Sequence, residues 1–284
     1  MSRIVYVNGV YLPEEEAKIS VFDRGFLFAD GVYEVTSVLG GKLIDWAGHV
    51  ARLGRSLAEL DMPAPADEAI LLEIHRTLVA RNAVAEGLVY LQVTRGAADR
   101  DFGWDDGMTP SLVLFTQAKP LVANPQAATG KKVALLPDLR WGRRDIKTVQ
   151  LLYPAMAKMQ AAAQGCEDAW MVEDGMITEG TSNNAWIVTK AGVLVTRGLS
   201  NHILHGITRA AIMRFASEAQ MKVEERAFTP EEAKAAAEAF TTSASAFVMP
   251  VVEIDGAVLG DGTPGPISRR LREIYVEESQ RAAI

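Results

Sequence analysis

The sequence predicts a mixed α/β protein of two domains, and three observations carry that prediction. Short apolar, β-branched runs alternate with segments in which apolar residues recur every three or four positions. Dipeptides that favour hairpin turns stand between neighbouring strand-like runs. Residues 116–131 lose this periodicity and collect prolines and small residues. We therefore predict an N-terminal α/β domain over residues 1–118, a connection over residues 119–131 and a C-terminal domain over residues 132–284.

The N-terminal part reads as hairpins and helices. Asn8-Gly9 and Gly40-Gly41 are predicted to turn two hairpins. One helix is expected from about Trp46 until before Pro63, and a second over residues 67–81. We expect the second helix to bury one face and to leave His75 solvated on its polar side. The residues expected on the buried face are Ile70, Leu71, Ile74 and Leu78.

The C-terminal part continues the same alternation. "KVALLPDL" is typical of a strand and "YPAMAKMQAAAQ" of a helix. A helix is expected to start near Gly206, another after the capping residue Thr229, and an amphipathic helix at the end of the chain. Three more hairpin turns are predicted, at Asp174-Gly175, Ala191-Gly192 and Asp255-Gly256.

Composition excludes several classes of function. A net charge of −7 leaves no basic surface of the kind that nucleic-acid binding requires, so no nucleic-acid partner is expected. Cys166 is the single cysteine, which favours a reducing, cytoplasmic environment. No apolar run reaches the roughly 18 residues that span a membrane, so no membrane partner is expected. The four histidines lack the further ligands of a metal site, and no bound metal is expected.

Four features of the C-terminal half point to one cofactor. Lys147 precedes a long apolar segment, where a lysine that faces the interior would react as a free amine, although a surface cation beside Asp145 is the plainer interpretation. Glu179 lies in the polar stretch "TEGTSNN" between two apolar runs. The turns "HGITR" and "TTSASA" offer N–H and hydroxyl donors to an anion. An amine for an aldehyde, an acid for a pyridine nitrogen and two phosphate-binding turns together indicate pyridoxal 5′-phosphate.

Seven segments occur in the order and spacing of a known family. They are "FDRGFLFADGVYEV", "HVARL", "YLQVTRG", "DIKTVQLL", "ITEGTSNN", "HGITR" and "PVVEIDG". On these segments the chain resembles the fold-type IV, or class IV, pyridoxal-phosphate-dependent aminotransferases, nearly from end to end. The resemblance implies an α/β (α+β) fold with a sandwich-like N-terminal domain, a C-terminal pseudo-barrel that binds the cofactor, and the cofactor in the cleft. It also implies a homodimer whose active site is shared across the interface.

The resemblance implies roles for residues around the cofactor. Lys147 would bind it covalently and move the proton of the reaction, and Glu179 would pair with the pyridine nitrogen. Leu204 would pack on the ring. The residues that would hold the phosphate are Arg52, Ile207, Thr208, Ser243 and Ala244. Ala244 could contribute only its N–H, because it lacks the hydroxyl of the threonine that D-amino acid transaminases commonly carry there.

The substrate residues follow the family pattern in part. Tyr33 matches a tyrosine of the substrate pocket. Arg100 matches an arginine that binds the substrate carboxylate from the partner subunit, but Phe102 stands where D-amino acid transaminases carry a histidine. Half of the carboxylate site is thus retained, since an arginine alone can still pair with a carboxylate. The alternative for Arg100 is a solvated loop arginine between two aspartates.

These observations predict a pyridoxal-phosphate-dependent transaminase that moves the amino group of a D-amino acid, D-alanine or a similar one, to 2-oxoglutarate by ping-pong chemistry. "VYEV" and "TRGAADR" resemble the D-specific enzymes most. A branched-chain L-amino acid transaminase, an R-selective amine transaminase and a 4-amino-4-deoxychorismate lyase are alternatives within the family. A catalytically silent scaffold is an alternative of another class, against which the retained Lys147 and Glu179 count.

Overall fold

The computed structural model describes residues 2–284, which form two compact units. The first unit consists of the chain up to Pro120 with Ile146–Gln150 and Ser279–Ile284, and the second of Leu121–Asp145 and Leu151–Glu278. Each unit contains a sheet and helices, which confirms the predicted mixed α/β class. No helix within residues 2–284 combines the length and the apolar character needed to cross a membrane.

The first unit is built on a six-stranded antiparallel sheet with the order β2-β1-β6-β5-β3-β4. Its strands are β1 (Ile4–Val7), β2 (Val10–Pro13), β3 (Gly31–Leu39), β4 (Lys42–Leu43), β5 (Glu86–Thr94) and β6 (Ser111–Ala118). Its helices are α1 (Arg24–Phe28), α2 (Trp46–Ala58) and α3 (Glu68–Arg81). Asn8 and Gly9 both have positive φ, as the predicted tight hairpin turn requires.

The predicted face of α3 is partly wrong. His75 is 1% exposed, whereas Ile70 is 50% exposed. The buried stripe runs through positions 71, 74, 75 and 78, which is the spacing of one helix face, and position 70 lies beside it. His75 fits this interior because its Nδ1–H donates to the Leu71 carbonyl at 2.7 Å and its ring forms a T-shaped pair with Trp46 at 4.7 Å between ring centres. Burial lowers the pKa of His75 to about 4, so the side chain is neutral at physiological pH.

The second unit is built on a nine-stranded sheet with the order β12-β11-β10-β13-β14-β7-β8-β9, and β15 pairs with β14. Its strands are β7 (Lys131–Pro137), β8 (Asp168–Glu173), β9 (Met176–Gly180), β10 (Asn184–Val188), β11 (Leu194–Thr196), β12 (Val223–Glu225), β13 (Glu238–Ser243), β14 (Phe247–Ile254) and β15 (Ala257–Val258). The helices of this part of the chain are α4 (Pro125–Thr129), α5 (Leu152–Ala163), α6 (Ile207–Glu218), α7 (Pro230–Lys234) and α8 (Pro266–Ala282), the last of which ends in the first unit.

The strand β7 separates two cores of the second unit. Val133 and Leu135 pack into the cluster that contains Trp170 and Phe228, whereas Ala134 and Leu136 pack against α5. This alternation is the ordinary consequence of successive side chains pointing to opposite faces of a strand. The chain crosses through α5 to place β8 parallel to β7, so the end of β7 and the whole β8–β10 segment share one sheet.

Candidate active site

Lys147 lies in the segment Ile146–Gln150, which runs beside the start of β3. The Tyr33 N–H donates to the Lys147 carbonyl at 3.0 Å, and the Val149 N–H donates to the Gly31 carbonyl at 3.0 Å. The Lys147 Nζ lies 4.1 Å from the centre of the Tyr33 ring. No carboxylate within residues 2–284 pairs with this amine. The backbone of Lys147 is therefore fixed while its half-buried amine contacts an aromatic face rather than an acid.

The Tyr33 ring is the first of three stacked rings. Tyr33 and Tyr90 stack at 5.6 Å between ring centres, and Tyr90 and Phe115 at 4.8 Å. The Tyr90 hydroxyl donates to the Gln92 side chain at 2.8 Å. Because these rings come from the adjacent strands β3, β5 and β6, the sheet itself sets the position of the surface that Lys147 touches.

Arg52 forms a buried ion pair with Glu34. The Arg52 Nε and Nη2 donate to the two oxygens of Glu34, each at 2.7 Å, and His49 Nδ1 lies 2.8 Å from the same carboxylate. The Arg52 guanidinium holds the pKa of the Glu34 carboxyl well below its usual range in spite of complete burial. Glu34 thereby fixes the plane of the guanidinium that sequence reasoning assigns to the phosphate.

Arg24 holds the loop that carries Arg100 and Phe102 through hydrogen bonds to its backbone. The buried Arg24 pairs with Asp30 at 2.8 Å and donates to the carbonyls of Asp101 and Gly103 at 2.7 and 3.0 Å. Phe102 is 78% exposed, and the Arg100 guanidinium lies over its ring at 5.7 Å from the centre. Within residues 2–284 Arg100 has no carboxylate partner, so the flanking aspartates do not neutralise it.

Glu179, at the end of β9, is fully buried and held by three groups. The Arg140 Nη1 donates to its Oε1 at 2.6 Å, the Asn184 Nδ2 donates to its Oε2 at 2.9 Å, and the Leu204 N–H lies 3.2 Å from both oxygens. Burial raises the pKa of the Glu179 carboxyl above its usual value, while Arg140 acts in the opposite direction. The donors from Arg140, Asn184 and Leu204 thus fix the positions of both carboxyl oxygens.

Asn184 joins Glu179 to Leu204. Its amide donates both to Glu179 and to the Leu204 carbonyl, the latter at 2.9 Å. A Cβ at Gly206 would lie 2.0 Å from the Asn184 Oδ1, so only glycine leaves room for this side chain before α6. The asparagine thus fixes the acid and the strand-to-helix connection that contains Leu204 at the same time.

The remaining residues of the polar stretch are anchored to Asp168. The Thr181 hydroxyl donates to its Oδ1 at 2.5 Å and the Asn183 amide to its Oδ2 at 2.8 Å. Lys131 Nζ lies 2.6 Å from the same Oδ2, and this lysine holds the pKa of buried Asp168 down at about 2. The turn between Glu179 and Asn184 is therefore attached to Asp168 of β8 by two hydrogen bonds, and Asp168 is itself paired with Lys131 of β7.

Two backbone segments of the second unit can receive an anion. Gly206 is the N-cap of α6, and no side chain caps this helix, whose first residues are Ile207 and Thr208. The turn after Ser243 connects β13 to β14 and includes Ala244. Both segments offer backbone N–H groups, and Ser243 and Thr208 add hydroxyls.

Sequence reasoning missed Arg140, Asp138 and Asp168. Asp138 binds Arg140 through two hydrogen bonds, from Nε at 2.9 Å and from Nη2 at 2.7 Å, and so orients the arginine that binds Glu179. The close spacing of Asp138 and Arg140 was the available signal, because an acid and an arginine two residues apart can form an ion pair. For Asp168 there was no local signal, since its partners lie 13 to 37 residues away.

The residues present suit pyridoxal 5′-phosphate. The first unit supplies an amine that no acid neutralises and a buried arginine. The second supplies a buried acid held on both oxygens and an uncapped helix start that can accept a phosphate. No three His, Cys, Asp or Glu side chains within residues 2–284 gather as metal ligands would.

Comparison with known proteins shows the family of the chain. Residues 31–254 match the family model "Amino-transferase class IV". The chain is 37% identical to the D-alanine aminotransferase of Bacillus licheniformis over 270 residues, covering 94% of each chain, and 36% identical to that of Staphylococcus aureus strain N315 over 272 residues, covering 95% of each. A branched-chain amino acid aminotransferase of T.th., solved with pyridoxamine 5′-phosphate, superposes with a TM-score of 0.90 at 26% identity over 99% of this chain and 95% of that one.

The chain therefore belongs to the class IV aminotransferases. It is an enzyme of this family in fold and in sequence over nearly its whole length.

Proposed function

We propose that this enzyme is a pyridoxal-phosphate-dependent transaminase that moves the amino group of D-alanine, or of a similar D-amino acid, to 2-oxoglutarate. The observation that carries the proposal is the buried Glu179, which Arg140 and Asn184 hold on its two oxygens. The D-alanine aminotransferases with which the chain shares more than a third of its residues support the choice of substrate.

The cofactor, when bound, supplies an aldehyde that reacts with amines and a ring that withdraws electrons from the reacting carbon. Lys147 would hold it through Nζ, and the same atom would carry the proton of the transfer. Glu179 would pair with the ring nitrogen and favour its protonated form. Leu204, whose N–H contacts Glu179, would pack on the ring.

The phosphate is held by residues of both sequence halves in this proposal. Arg52 binds it with a guanidinium that Glu34 has already oriented. Ile207 and Thr208 at the start of α6, and Ser243 and Ala244 in the turn before β14, give the other hydrogen bonds. The division into an N-terminal domain of residues 1–118 and a cofactor-binding domain of residues 132–284 is part of the proposal.

The substrate would meet Tyr33 and Arg100. We assign Arg100 to the substrate carboxylate because no carboxylate within residues 2–284 neutralises it, and Phe102 to the wall beside it. The loop would reach the active site of a partner subunit, and the exposed Phe22, Phe26 and Trp104 of the same unit support such a homodimer.

Half-reactions with single amino acids test the substrate assignment. We expect the absorbance band of the bound cofactor to shift when D-alanine is added, and not with L-alanine. A shift with L-leucine or L-valine alone would replace the proposal by a branched-chain transaminase, a reading that the 26% identical T.th. enzyme favours. A shift with an R-amine alone, or pyruvate release from 4-amino-4-deoxychorismate, would assign the chain to the other two activities.

Substitution of the lysine tests the catalytic assignment. Lys147→Ala should remove the covalently bound cofactor's absorbance band and nearly all turnover, whereas Lys158→Ala, on the exposed side of α5, should leave both unchanged. Full activity of Lys147→Ala would refute the assignment. Protein that binds no cofactor at all would favour the scaffold alternative.

Mixed dimers test whether the active site is shared. Lys147→Ala and Arg100→Leu should each be nearly inactive alone. If Arg100 serves the partner's site, a dimer of one variant with the other contains one intact site, and activity should return on mixing and refolding. A mixture that stays inactive would place Arg100 in its own subunit's site, and full activity of Arg100→Leu alone would place it outside both sites.

A further inference from the structure

The hairpin turn between β13 and β14 contains an unfavourable backbone conformation. Ser243 pairs with Phe247, which leaves three residues in the turn. Phe247 closes the turn with φ of 62°. Hairpins of this kind usually place glycine at such a left-handed position, because a side chain there crowds the backbone. A fully buried phenylalanine therefore holds a conformation that it would not adopt without support.

Arg272 of α8 supplies that support. Its Nη1 donates to the carbonyls of Ala246 and Val248, at 2.7 and 2.9 Å, which lie on either side of Phe247. Its Nη2 donates to the carbonyls of Leu121 and Val122, at 2.6 and 3.1 Å. The guanidinium also lies over the Phe247 ring, 5.7 Å from its centre. The Arg272 side chain thus holds Phe247 and the turn that precedes it in place through hydrogen bonds.

Arg272 differs from every other buried arginine within residues 2–284. Each of the others pairs with a carboxylate: Arg24 and Arg95 with Asp30, Arg52 with Glu34, Arg144 with Glu173 and Arg209 with Glu225. Arg272 meets carbonyl oxygens alone. A buried positive charge that no acid compensates is favourable where an anion binds nearby.

Tyr275 lies one turn further along α8 and contacts the other proposed phosphate segment. Its hydroxyl oxygen is 3.5 Å from the Thr208 Oγ1, at the outer limit of a hydrogen bond. Its ring packs against Phe215 of α6 and against Phe247. The face of α8 that carries Arg272 and Tyr275 therefore touches both the start of α6 and the end of the turn.

We propose that Arg272 and Tyr275 are positioning residues of the phosphate site. Through these two side chains α8 fixes the turn of Ser243–Phe247 relative to the first turn of α6. The positive charge of Arg272, which pairs with no acid, also favours an anion at this site. This inference rests on the proposed function, in which those two segments bind the cofactor phosphate.

The affinity of the cofactor-free protein for inorganic phosphate tests the inference without any turnover. We expect Arg272→Met to bind phosphate about tenfold more weakly than the wild type, because the turn loses the hydrogen bonds that hold it and the site loses a positive charge. Tyr275→Phe should weaken binding by a smaller factor. Arg269→Met removes the same charge from the exposed side of the same helix and should bind phosphate as the wild type does.

Arg272→Lys serves where Arg272→Met does not fold. Lysine keeps the charge but cannot reach four carbonyls, so its phosphate affinity should lie below the wild-type value. Folded Arg272→Lys and Tyr275→Phe proteins that bind phosphate as tightly as Arg269→Met would overturn the inference. If the wild type binds pyridoxal phosphate and the variants bind phosphate as tightly as the wild type does, only the positioning role is refuted. If the wild type binds neither pyridoxal phosphate nor inorganic phosphate, the proposed function is refuted as well.

Discussion

Lys131 and Lys132 are neighbours at the start of β7 that differ in surroundings, and this gives a quantitative prediction. Lys131 is buried against Asp168 at 2.6 Å, whereas Lys132 is exposed and pairs with Glu253 at 3.0 Å. Lys131→Met should lower the free energy of unfolding of the second unit by about 3–5 kcal/mol, because it leaves a carboxylate buried without its partner. Lys132→Met should cost less than about 1 kcal/mol.

The magnitude agrees with the titration of Asp168. Its pKa falls from 3.8 to about 2 in the folded chain, and this difference corresponds to about 2 kcal/mol. Since the folded pKa is the lower one, the stabilisation is present above pH 4 and is lost as the pH falls from about 4 towards 2. The remainder of the expected cost comes from the desolvation of the unpaired carboxylate.

Urea unfolding followed by tryptophan fluorescence measures the difference, since Trp170 and Trp186 are fully buried in the second unit. The wild type, Lys131→Met and Lys132→Met should be compared at pH 7 and again at pH 3. We expect a large gap between the two variants at pH 7 that narrows at pH 3. Equal midpoints of the two variants at pH 7 would refute the assignment of Asp168 and Lys131 as a stabilising pair.

Three further predictions concern single side chains. The free energy of unfolding in urea should fall by about 2.4 kcal/mol between pH 7 and pH 4.5, because unfolded His75 takes a proton that the buried side chain, with a pKa of about 4, does not. His75→Phe should remove most of this pH dependence, and an unchanged pH dependence in His75→Phe would contradict the burial of a neutral histidine. Tyr33→Phe should keep kcat within about threefold and Tyr33→Leu should lower it about tenfold, because the ring face that orients Lys147 is worth about 1–2 kcal/mol; equal rates of the two variants would exclude that role. Phe102→His should lower KM for D-alanine about tenfold at constant kcat, as an added donor to a carboxylate would, and an unchanged KM would place Phe102 away from the substrate.

The sequence predicted those parts of the fold that depend on neighbouring residues. The dipeptides Asn8-Gly9, Asp174-Gly175 and Asp255-Gly256 adopt positive φ at both positions, as predicted, because the local conformational preferences of asparagine, aspartate and glycine decide such turns. Thr229 accepts a hydrogen bond from the Glu232 N–H, as its capping spacing indicated. The error at α3 arose because Ile70 and Leu71 are both apolar, and only the packing partners decide which one faces the sheet.

The candidate site was predictable only in its most distinctive residues. Lys147 and Glu179 stood out through chemistry and through resemblance to a family. The groups that hold Glu179 did not, because Arg140 lies 39 residues before it and meets it only through the parallel pairing of β7 with β8 and the antiparallel pairing of β8 with β9. Strand register brings such residues together, and a single sequence does not state that register.

The same register explains how the stretch from Glu179 to Asn184 divides its work. Its first and last residues are joined by the hydrogen bond from the Asn184 amide to Glu179 Oε2. Thr181 and Asn183, which lie between them, donate to Asp168. Burial removes water from every polar group in this stretch, and the hydrogen bonds offset only part of that desolvation free energy. The arrangement fixes the position of the acid. Because both oxygens of Glu179 are already held by hydrogen bonds, the side chain can meet a ring nitrogen without a further loss of rotamer freedom. Loss of Lys131 should thus lower kcat as well as stability, whereas Lys132→Met should leave kcat unchanged.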